Sequence, residues 1–228
     1  MRILLVSATL LEIRPFLNKL VRHGEENDRI HHYRLKNTSI DVLIPGIGMV
    51  QTAYHLGKHL TGDKYDLAIN AGICGSFTKA IRIGDVVEII EDCMTELGAE
   101  DRDRFLPVFD LGLFDPDSPP YTNGKLITTP ETGSKILAKL TKVKGITVNT
   151  VHGNKQSIER VRSLFSPETE SMEGAAFLYS CLLSNVPNVQ IRAVSNFVEE
   201  RDRSRWNLEL SLENLNKVLE EIFEEICV

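Results

Sequence analysis

Two short segments of this sequence contain side-chain types that could do chemistry. In the first, ESMEGAA, the carboxylate of Glu173 directly follows the thioether of Met172, where a new helix is predicted to begin. In the second, IRAVSN, a hydrophobic strand leads into the polar pair Ser195 and Asn196. A carboxylate accepts hydrogen bonds from vicinal hydroxyls, a thioether suits the apolar face of a sugar, and an amide suits the edge of a heterocycle. Together these residues predict a nucleoside pocket.

Alternating strands and helices must position these residues. Short apolar runs alternate with longer segments of helical period, which is typical of an α/β fold. Strands are predicted at residues 3–6, 41–44, 67–70, 85–90, 145–150 and 189–195. Helices are predicted after the first strand and at residues 50–60, 131–141 and 174–184. No domain boundary is visible, so residues 1–228 are predicted to form one domain.

The first and last helices have predicted apolar faces. The face of the first is formed by Leu11, Phe16, Leu17 and Leu20. The last helix carries a stripe at helical spacing that is predicted to lie in the core. This stripe is formed by Leu212, Leu215, Leu219, Ile222 and Ile226.

Composition excludes several classes of partner. A net charge of −6 argues against nucleic acid or an anionic membrane as the main partner. No apolar run approaches the roughly 20 residues of a membrane helix, and Met1 leads directly into a strand, which leaves no room for a signal peptide. The four scattered cysteines form no CxxC pair, which predicts a reducing compartment without disulfides. We therefore expect a cytoplasmic protein with no metal and no cofactor. The histidines expected to be structural or surface residues rather than ligands are His31, His32, His55 and His152.

Glycine-rich turns follow two of the apolar strands, and their order along the chain is specific. Glycines at a strand end let the backbone approach a ligand closely. A strand followed by Glu12, GIG at 46–48, NAGxxG at 70–75, GD at 84–85, SMEGAA and RAxSN occur in that order. This set resembles the purine nucleoside phosphorylase and nucleosidase superfamily. It is most similar to the 5′-methylthioadenosine/S-adenosylhomocysteine nucleosidases and the futalosine hydrolases. The resemblance implies an α/β three-layer sandwich with a central mixed β-sheet flanked by helices.

The resemblance also favours hydrolysis over phosphorolysis. The related phosphorylases carry arginines that bind phosphate after the first strand and before the glycine turn, where this chain has neither. Instead, Glu12 lies where the nucleosidases place a carboxylate that orients water. Breaking an N-glycosidic bond develops a ribosyl cation, which a carboxylate can stabilise while it takes a proton from water. Glu173 is then expected to hold the ribose hydroxyls, and Arg192 to orient Glu12 or another acid. An early-helix glutamate that only suits the helix dipole, and a surface ion pair for Arg192, are the alternatives.

Asn196 bears on the identity of the base. The methylthioadenosine nucleosidases carry Asp at this position, and a protonated Asp can donate to N7 of adenine while accepting from its 6-amino group. The Asn196 amide instead donates to N7, to O6 or to both, which fits a 6-oxopurine. Asn cannot deliver a proton, but hypoxanthine is a better anionic leaving group than adenine, so a hydrogen bond can suffice. The alternative is that Asn196 only caps the strand end.

The charged run after this strand resembles a segment of the futalosine hydrolases. Futalosine is an inosine-like nucleoside with a benzoate on its 5′ extension, so the resemblance implies a group that binds a carboxylate. Arg201, Arg203 or Arg205 is expected to bind it, and Phe197 or Trp206 to stack on a ring. For each arginine the alternative is a solvated charge run that opens the last helix.

Other residues complete the predicted pocket. Ile47 is expected to pack on the sugar beside the thioether, and Cys74 and Gly75 to flank the base with backbone groups. Gln156 falls where the nucleosidases place a base-stacking aromatic. The loop at 92–122, rich in proline and charge, is expected to be functional or interfacial. The superfamily usually forms dimers or larger rings, so the resemblance implies a homodimer.

Three other functions remain possible at this point. A 5′-methylthioadenosine/S-adenosylhomocysteine nucleosidase that tolerates Asn196 would release adenine. A phosphorylase would show a phosphate-dependent rate and would need another source of cation. A catalytically silent nucleoside-binding protein would be expected to lack Glu12 or Glu173, and both are present.

Overall fold

The computed structural model describes residues 1–24, 29–61, 65–129 and 132–227, in which strands and helices alternate along the chain. The strands are β1 Arg2–Val6, β2 Val21–Arg22, β3 Ile30–Leu35, β4 Thr38–Leu43, β5 Leu67–Ser76, β6 Val86–Asp92, β7 Gly98–Asp101, β8 Arg104–Pro107, β9 Leu126–Ile127, β10 Thr141–Thr147, β11 Thr169–Ser171 and β12 Asn188–Phe197. The helices are α1 Leu10–Leu17, α2 Met49–Leu60, α3 Lys135–Lys139, α4 Lys155–Phe165, α5 Gly174–Leu183 and α6 Leu208–Ile226, with a 3₁₀ turn at Arg203–Arg205.

A mixed sheet runs through the described part of the chain. Its ten strands lie in the order β11-β10-β6-β12-β5-β1-β4-β3-β2, with β9 paired to β6. The central strands β4, β1, β5 and β12 are parallel, so their carboxyl ends meet at one edge. At the far side, β11 pairs with both β10 and β5, which closes five of the strands into a ring. This closure brings β11 back beside β5 at the edge where the central strands end.

Helices cover both faces of the sheet, which confirms the predicted α/β sandwich. In β1, Ile3 and Leu5 belong to a core shared with α1 and α6, whereas Leu4 and Val6 belong to a core shared with α2 and α5. Alternate residues of a strand point to opposite faces. A strand that is buried on both faces therefore reads as a continuous apolar run in the sequence.

The last helix is amphipathic, as predicted, and it also fixes the start of α1. Leu215, Leu219 and Ile222 of α6 are fully buried. Asn216, also buried, accepts a hydrogen bond from the Phe16 amide at 2.9 Å and donates to the Glu12 carbonyl at 2.8 Å. The two helices are thereby joined beside a predicted catalytic residue.

Four details of the predicted secondary structure were wrong. The helix expected at 131–141 is the short α3, whose N-cap Ser134 accepts from the Leu137 amide at 3.1 Å; residue 131 lies outside the described residues. The strand expected at 145–150 begins at Thr141, because β-branched residues continue the pairing with β6, and it ends at Thr147. The stretch at 92–122 is not an unstructured loop, because β7 and β8 form a hairpin within it.

The fourth difference concerns Leu11, which was expected on the buried face of α1. Its side chain is 65% exposed, and Ile13, Phe16 and Leu17 form the buried face instead. Two residues span about 200° of an α-helix, so Leu11 lies nearly opposite the buried Ile13. Leu20 lies beyond the end of α1 but packs against the same core.

The four cysteines, Cys74, Cys93, Cys181 and Cys227, are free thiols, in agreement with the sequence prediction. Among the described residues, no helix is both long and apolar enough to cross a membrane. The same residues contain no cluster of three or more His, Cys, Asp or Glu side chains that could hold a metal ion.

Candidate active site

A cavity of about 370 Å³ opens at the carboxyl ends of the central strands. Ligands bind at this edge in open α/β sheets, because loops and helix N-termini converge there. The cavity is lined by Ala8, Thr9, Leu11, Glu12, Ile47, Ile73, Cys74, Gly75, Val151, Glu170, Ser171, Met172, Glu173, Ser195, Asn196, Trp206, Leu208 and Leu212. Nine of the residues predicted from the sequence to form the pocket are therefore on this surface.

The carboxylate of Glu12 is held in one orientation at the start of α1. Thr9 is the N-cap, and Glu12, three residues later, reaches back to it in a capping box. Glu12 Oε2 accepts from the Thr9 amide at 2.9 Å, from Thr9 Oγ1 at 3.1 Å and from Ser7 Oγ at 3.2 Å. Glu12 Oε1 accepts from the Ile73 amide at 3.3 Å. Oε1 is therefore the oxygen with more capacity left for a water molecule or a substrate.

Arg192 lies beneath the cavity and does not line it. It is 1% exposed, and its Nη2 donates to Asn70 Oδ1, while the Asn70 side chain donates to the Val6 carbonyl at 3.1 Å. Its Nη1 and Glu12 Oε1 each lie 3.0 Å from the point that a Cβ on Gly72 would occupy. Gly72 thus leaves room for a cation and a carboxylate to approach one another under the cavity floor.

Glu173 faces Glu12 from the start of α5. It is the N-cap of α5, is 9% exposed, and accepts from the Gly48 amide at 3.0 Å through Oε1. Gly48 has a φ of 97°, a conformation that favours glycine. Burial raises the pKa of the Glu173 carboxyl, and the nearby Glu12 raises it further, whereas Arg192 and the Gly48 amide oppose the rise. Such a carboxylate can accept from vicinal hydroxyls at the centre of the cavity.

Ser195 and Asn196 both reach the other end of the cavity because β12 has a bulge. The register between β12 and β5 shifts between Val194 and Asn196, so two successive side chains line the same surface. Ser195 Oγ lies 3.1 Å from the Cys74 carbonyl and 2.8 Å from Asn196 Oδ1, and its single proton can be donated to either. Asn196 Nδ2 donates to the Phe197 carbonyl at 3.0 Å, which leaves its second N–H for a ligand.

Cys74 and Gly75 line the same end of the cavity. The Cys74 thiol is buried, and burial raises its pKa to about 12, so it stays neutral near pH 7. At Gly75 an added Cβ would lie 2.9 Å from Val198 Cγ2 and 3.2 Å from Asn196 Nδ2. Met172 and Ile47 line the cavity beside Glu173.

Besides Arg192, the predicted residues Phe197, Arg201, Arg203 and Arg205 do not line the cavity. The Phe197 ring lies under Lys79, whose Nζ is 3.7 Å from the ring centre, because the residue after the bulge points away from Asn196. Arg201 and Arg203 are exposed at the mouth, with guanidinium carbons 5.3 Å and 5.9 Å from the centre of the Trp206 ring. Trp206 itself is on the cavity wall. Of the two aromatic candidates for stacking, the structure thus places Trp206 at the site.

The structure corrects the expectation for Gln156, whereas His152 makes a structural contact, as expected. Gln156 lies exposed in the first turn of α4 and is not on the cavity wall. His152 has a buried partner, because its Nδ1 lies 2.6 Å from Glu170 Oε2. Glu170, which lines the cavity, was not predicted, although it lies in the short strand β11 only two residues before Met172.

The sequence and the fold agree on one family. The sequence profile of the phosphorylase superfamily matches residues 2–224. The chain belongs to this superfamily. Within it, the chain is 32% identical over 176 residues to a futalosine hydrolase from Streptomyces coelicolor, which covers 74% of this chain and 72% of that protein. A futalosine hydrolase from Acidothermus cellulolyticus is 30% identical, with coverage of 85% and 77%. The resemblance stated from the motifs is confirmed.

The relatives also include 5′-methylthioadenosine/S-adenosylhomocysteine nucleosidases. A 5′-methylthioadenosine/S-adenosylhomocysteine nucleosidase from Maridesulfovibrio salexigens is 28% identical, with 93% of both chains covered. Among solved structures, futalosine hydrolase from Helicobacter pylori superposes with a TM-score of 0.81 at 18% identity, covering 99% of this chain and 98% of that one. The corresponding nucleosidase from Colwellia psychrerythraea, in complex with adenine, gives 0.82 at 19% identity, covering 99% and 96%. These two structures support the fold.

Proposed function

We propose that this protein hydrolyses the N-glycosidic bond of futalosine, releasing hypoxanthine and dehypoxanthine futalosine, a step of menaquinone biosynthesis. The observation that carries the proposal is the pairing, in one cavity, of the carboxylates Glu12 and Glu173 with an amide, Asn196, at the opposite end. The carboxylates suit a ribosyl cation and its hydroxyls, and the amide suits a 6-oxopurine. The similarity to two futalosine hydrolases at 30–32% identity supports the same substrate.

Water rather than phosphate is the proposed nucleophile. None of the described residues on the cavity wall is Lys or Arg, and Nη2 of the buried Arg192 donates to Asn70. Phosphate binding requires cationic or aligned N–H donors. Glu12 Oε1 can instead accept a proton from water as the C–N bond breaks, while both carboxylates stabilise the positive charge on the ribosyl ring. Glu173 accepts from the ribose hydroxyls and fixes the sugar against Met172 and Ile47.

The base is proposed to leave without a protonated side chain at N7. The free N–H of Asn196 Nδ2 donates to N7 or O6 of hypoxanthine, and the Ser195 hydroxyl at 2.8 Å from Oδ1 fixes the amide orientation. In a 6-aminopurine, the same N–H would meet an amino group, which is itself a donor. A site with polar groups aimed at the wrong partner can reject an analogue by a factor of about 10⁴ or more.

The benzoate of futalosine is proposed to bind at the mouth of the cavity. Trp206 offers a ring face for stacking, and Arg201 and Arg203 lie beside that ring with their charges exposed. Arg205 is already paired with Glu199 at 3.1 Å, so it is the weaker candidate. Replacing Arg201 or Arg203 with Gln should raise KM for futalosine and leave base release from inosine, which has no benzoate, unchanged. An equal effect on both substrates would remove this assignment.

A homodimer is also proposed, on the strength of the superfamily resemblance and of one exposed apolar face. Val50 and Tyr54 lie about one turn apart on α2 and are 80% and 67% exposed, and Ile47, just before the helix, is 55% exposed. Apolar clusters of this kind mark interaction sites. Light scattering of Val50→Glu should show a smaller species than the wild type. The predictions of a single domain over residues 1–228 and of a cytoplasmic location remain predictions.

The test of the proposed function is release of free base from futalosine, inosine and 5′-methylthioadenosine, each with and without phosphate. We expect phosphate-independent release of hypoxanthine from futalosine. Asn196→Asp is the matched variant, and it should lose activity on futalosine and gain activity on methylthioadenosine. Release of adenine from methylthioadenosine by the wild type, at a rate equal to or above that for futalosine, would make the protein an adenosine-type nucleosidase like its relative from M. salexigens.

A further inference from the structure

Glu170 and Asn196 face each other across a slot that Gly75 leaves open. In the sheet register, Gly75 of β5 pairs with Glu170 of β11 on one side and with Asn196 of β12 on the other. Paired residues on neighbouring strands point to the same face of a sheet. Because Gly75 has no side chain, nothing from β5 fills the space between the carboxylate and the amide. A Cβ at Gly75 would lie 3.5 Å from Glu170 Cγ and 3.2 Å from Asn196 Nδ2.

The Glu170 carboxylate is fixed by His152. Glu170 Oε1 accepts from the His152 amide at 3.0 Å, and Oε2 lies 2.6 Å from His152 Nδ1. The side chain of Glu170 is 3% exposed and that of His152 is 12% exposed. Each carboxylate oxygen has two lone-pair sites, so the carboxylate can accept a further hydrogen bond from a ligand in the slot. Among the described residues, no other carboxylate lines the cavity next to Asn196.

The two sides of the slot differ in hydrogen-bond character. Asn196 offers an N–H, and Glu170 offers acceptors only. The edge of a 6-oxopurine is complementary to this arrangement, because O6 and N7 accept while N1–H donates. In a 6-aminopurine, N1 is an acceptor and would place its lone pair against the carboxylate. The slot therefore distinguishes the two bases on both sides, whereas Asn196 alone reads only one.

We propose that Glu170 accepts the N1–H of the 6-oxopurine and is a second determinant of base specificity, with His152 as its positioning residue. This inference rests on the proposed function, because it takes hypoxanthine as the base. A carboxylate that only anchored the loop at 148–154 would affect all substrates alike. The readout that separates the two roles is thus the ratio of kcat/KM for futalosine to kcat/KM for its 6-amino analogue, which differs only in the base.

The decisive variant is Glu170→Gln. The His152 amide can donate only to the Gln oxygen, so the Gln amino group would replace Oε2 beside His152 Nδ1. One of its N–H groups can donate to that nitrogen, and the other would point into the slot and meet N1 with a donor instead of an acceptor. The ratio of 6-oxo to 6-amino substrate should fall by roughly 10- to 100-fold, since an unpaired buried polar contact costs about that factor. A fall in both rates with an unchanged ratio would overturn the proposal.

Glu96→Gln is the matched control. Glu96 anchors the same loop, because it accepts from the Asn149 amide at 2.6 Å and from the Thr150 amide at 3.3 Å, but it does not line the cavity. We expect this variant to leave the ratio unchanged. An equal shift of the ratio in Glu96→Gln and Glu170→Gln would assign the effect to loop placement and would refute direct contact.

The positioning role of His152 is tested by a double-mutant cycle. His152→Ala should lower the ratio of kcat/KM for futalosine to kcat/KM for its 6-amino analogue. In the Glu170→Gln background the same substitution should cause little further decrease, because His152 acts through Glu170. Additive effects on the ratio would show that His152 acts independently of Glu170 and would overturn this part of the proposal.

Two further measurements change the ligand, and the first of them uses the wild type alone. A 1-deaza analogue of futalosine has C–H in place of N1–H, and its kcat/KM should be at least about 10-fold lower than that of futalosine; equal values would overturn the proposal. Calorimetric binding of free hypoxanthine and free adenine requires no hydrolysis. Preference for hypoxanthine in the wild type, lost in Glu170→Gln, supports the inference even if futalosine is not the substrate. Absence of any preference would overturn it even if futalosine is cleaved.

Discussion

Replacement of Arg192 by Met should weaken catalysis without unfolding the protein. The guanidinium is buried under the two predicted catalytic carboxylates, and its Nη1 and Glu12 Oε1 lie 3.0 Å from the same point above Gly72. They are therefore no more than about 6 Å apart, which corresponds to about 3 kcal/mol at an effective dielectric constant of ~20. Glu12 is partly exposed to the cavity, where solvent reduces this interaction. We expect kcat/KM to fall between about 10- and 100-fold, since each 1.36 kcal/mol is tenfold.

The same substitution should move the acid limb of the pH–rate profile. Arg192 opposes the rise in the pKa of Glu173 that burial causes, so its loss lets that pKa rise further. Glu173 binds hydroxyls as the ionised acceptor, and activity is lost as the pH falls through its pKa. The limb should therefore lie at higher pH in the variant than in the wild type. Arg192→Lys retains a cation and should keep the limb near its wild-type position.

Thermal unfolding separates this effect from a loss of structure. Arg192→Met leaves Asn70 Oδ1 without its donor, which costs about 1–3 kcal/mol. It also removes a buried cation whose Nε has no hydrogen-bond partner among the described residues, and the neighbouring Glu12 stays partly exposed, so its charge remains solvated. A folded variant whose kcat/KM stays within threefold of the wild type, with an unmoved acid limb, would refute the electrostatic role of Arg192.

Three further predictions follow from single contacts. Glu12→Gln should lower kcat by about 10³-fold with little change in KM, measured by base release; retained kcat would exclude Glu12 as the base. Gly174→Ala should lower the free energy of unfolding by about 3 kcal/mol in urea titrations, because a Cβ there would lie 2.2 Å from Gln190 Oε1 and 2.3 Å from Asp92 Oδ2; wild-type stability would refute the clash. Burial raises the pKa of Asp92 to about 6. The protonated carboxyl therefore stabilises the folded state fully below pH ~4, and this stabilisation is lost as the pH rises through about 6. In the wild type the free energy of unfolding should fall between pH 4 and 7, and Asp92→Asn should make this fall smaller. An equal fall in the variant and the wild type would contradict the prediction.

The sequence could predict the parts of the site that depend on local order. Glu12, Glu173 and Asn196 each lie at or just beyond the end of a strand in a recognisable motif, and parallel strands bring such positions to one edge of the sheet. Glu170 could not be found in this way, because its position depends on the pairing of β11 with β5, which is a long-range property. A three-residue strand carries too little periodicity to reveal its register.

Phe197 and the hairpin show two other limits of sequence patterns. A bulge changes which residues of a strand share a face, and the bulge in β12 turns Asn196 into the cavity and Phe197 out of it. The β7–β8 hairpin is mostly exposed, and its sequence has no apolar alternation that would mark a half-buried strand. Its register is set by backbone pairing, which leaves little trace in residue type.

The charge of the cavity limits which bases the protein can release. Three carboxylates, Glu12, Glu170 and Glu173, line the wall, and the nearest described cation, Arg192, lies beneath it. This arrangement favours a cation on the ribosyl ring and disfavours an anion on the departing base, because like charges repel in a site of low dielectric. A base that leaves without a proton from the enzyme must therefore disperse its own charge. On the proposed function, O6 of hypoxanthine carries that charge to the N–H of Asn196, on the opposite side of the slot from Glu170. Adenine has no oxygen at this position, so the acid chemistry and the base specificity of the site have the same structural cause.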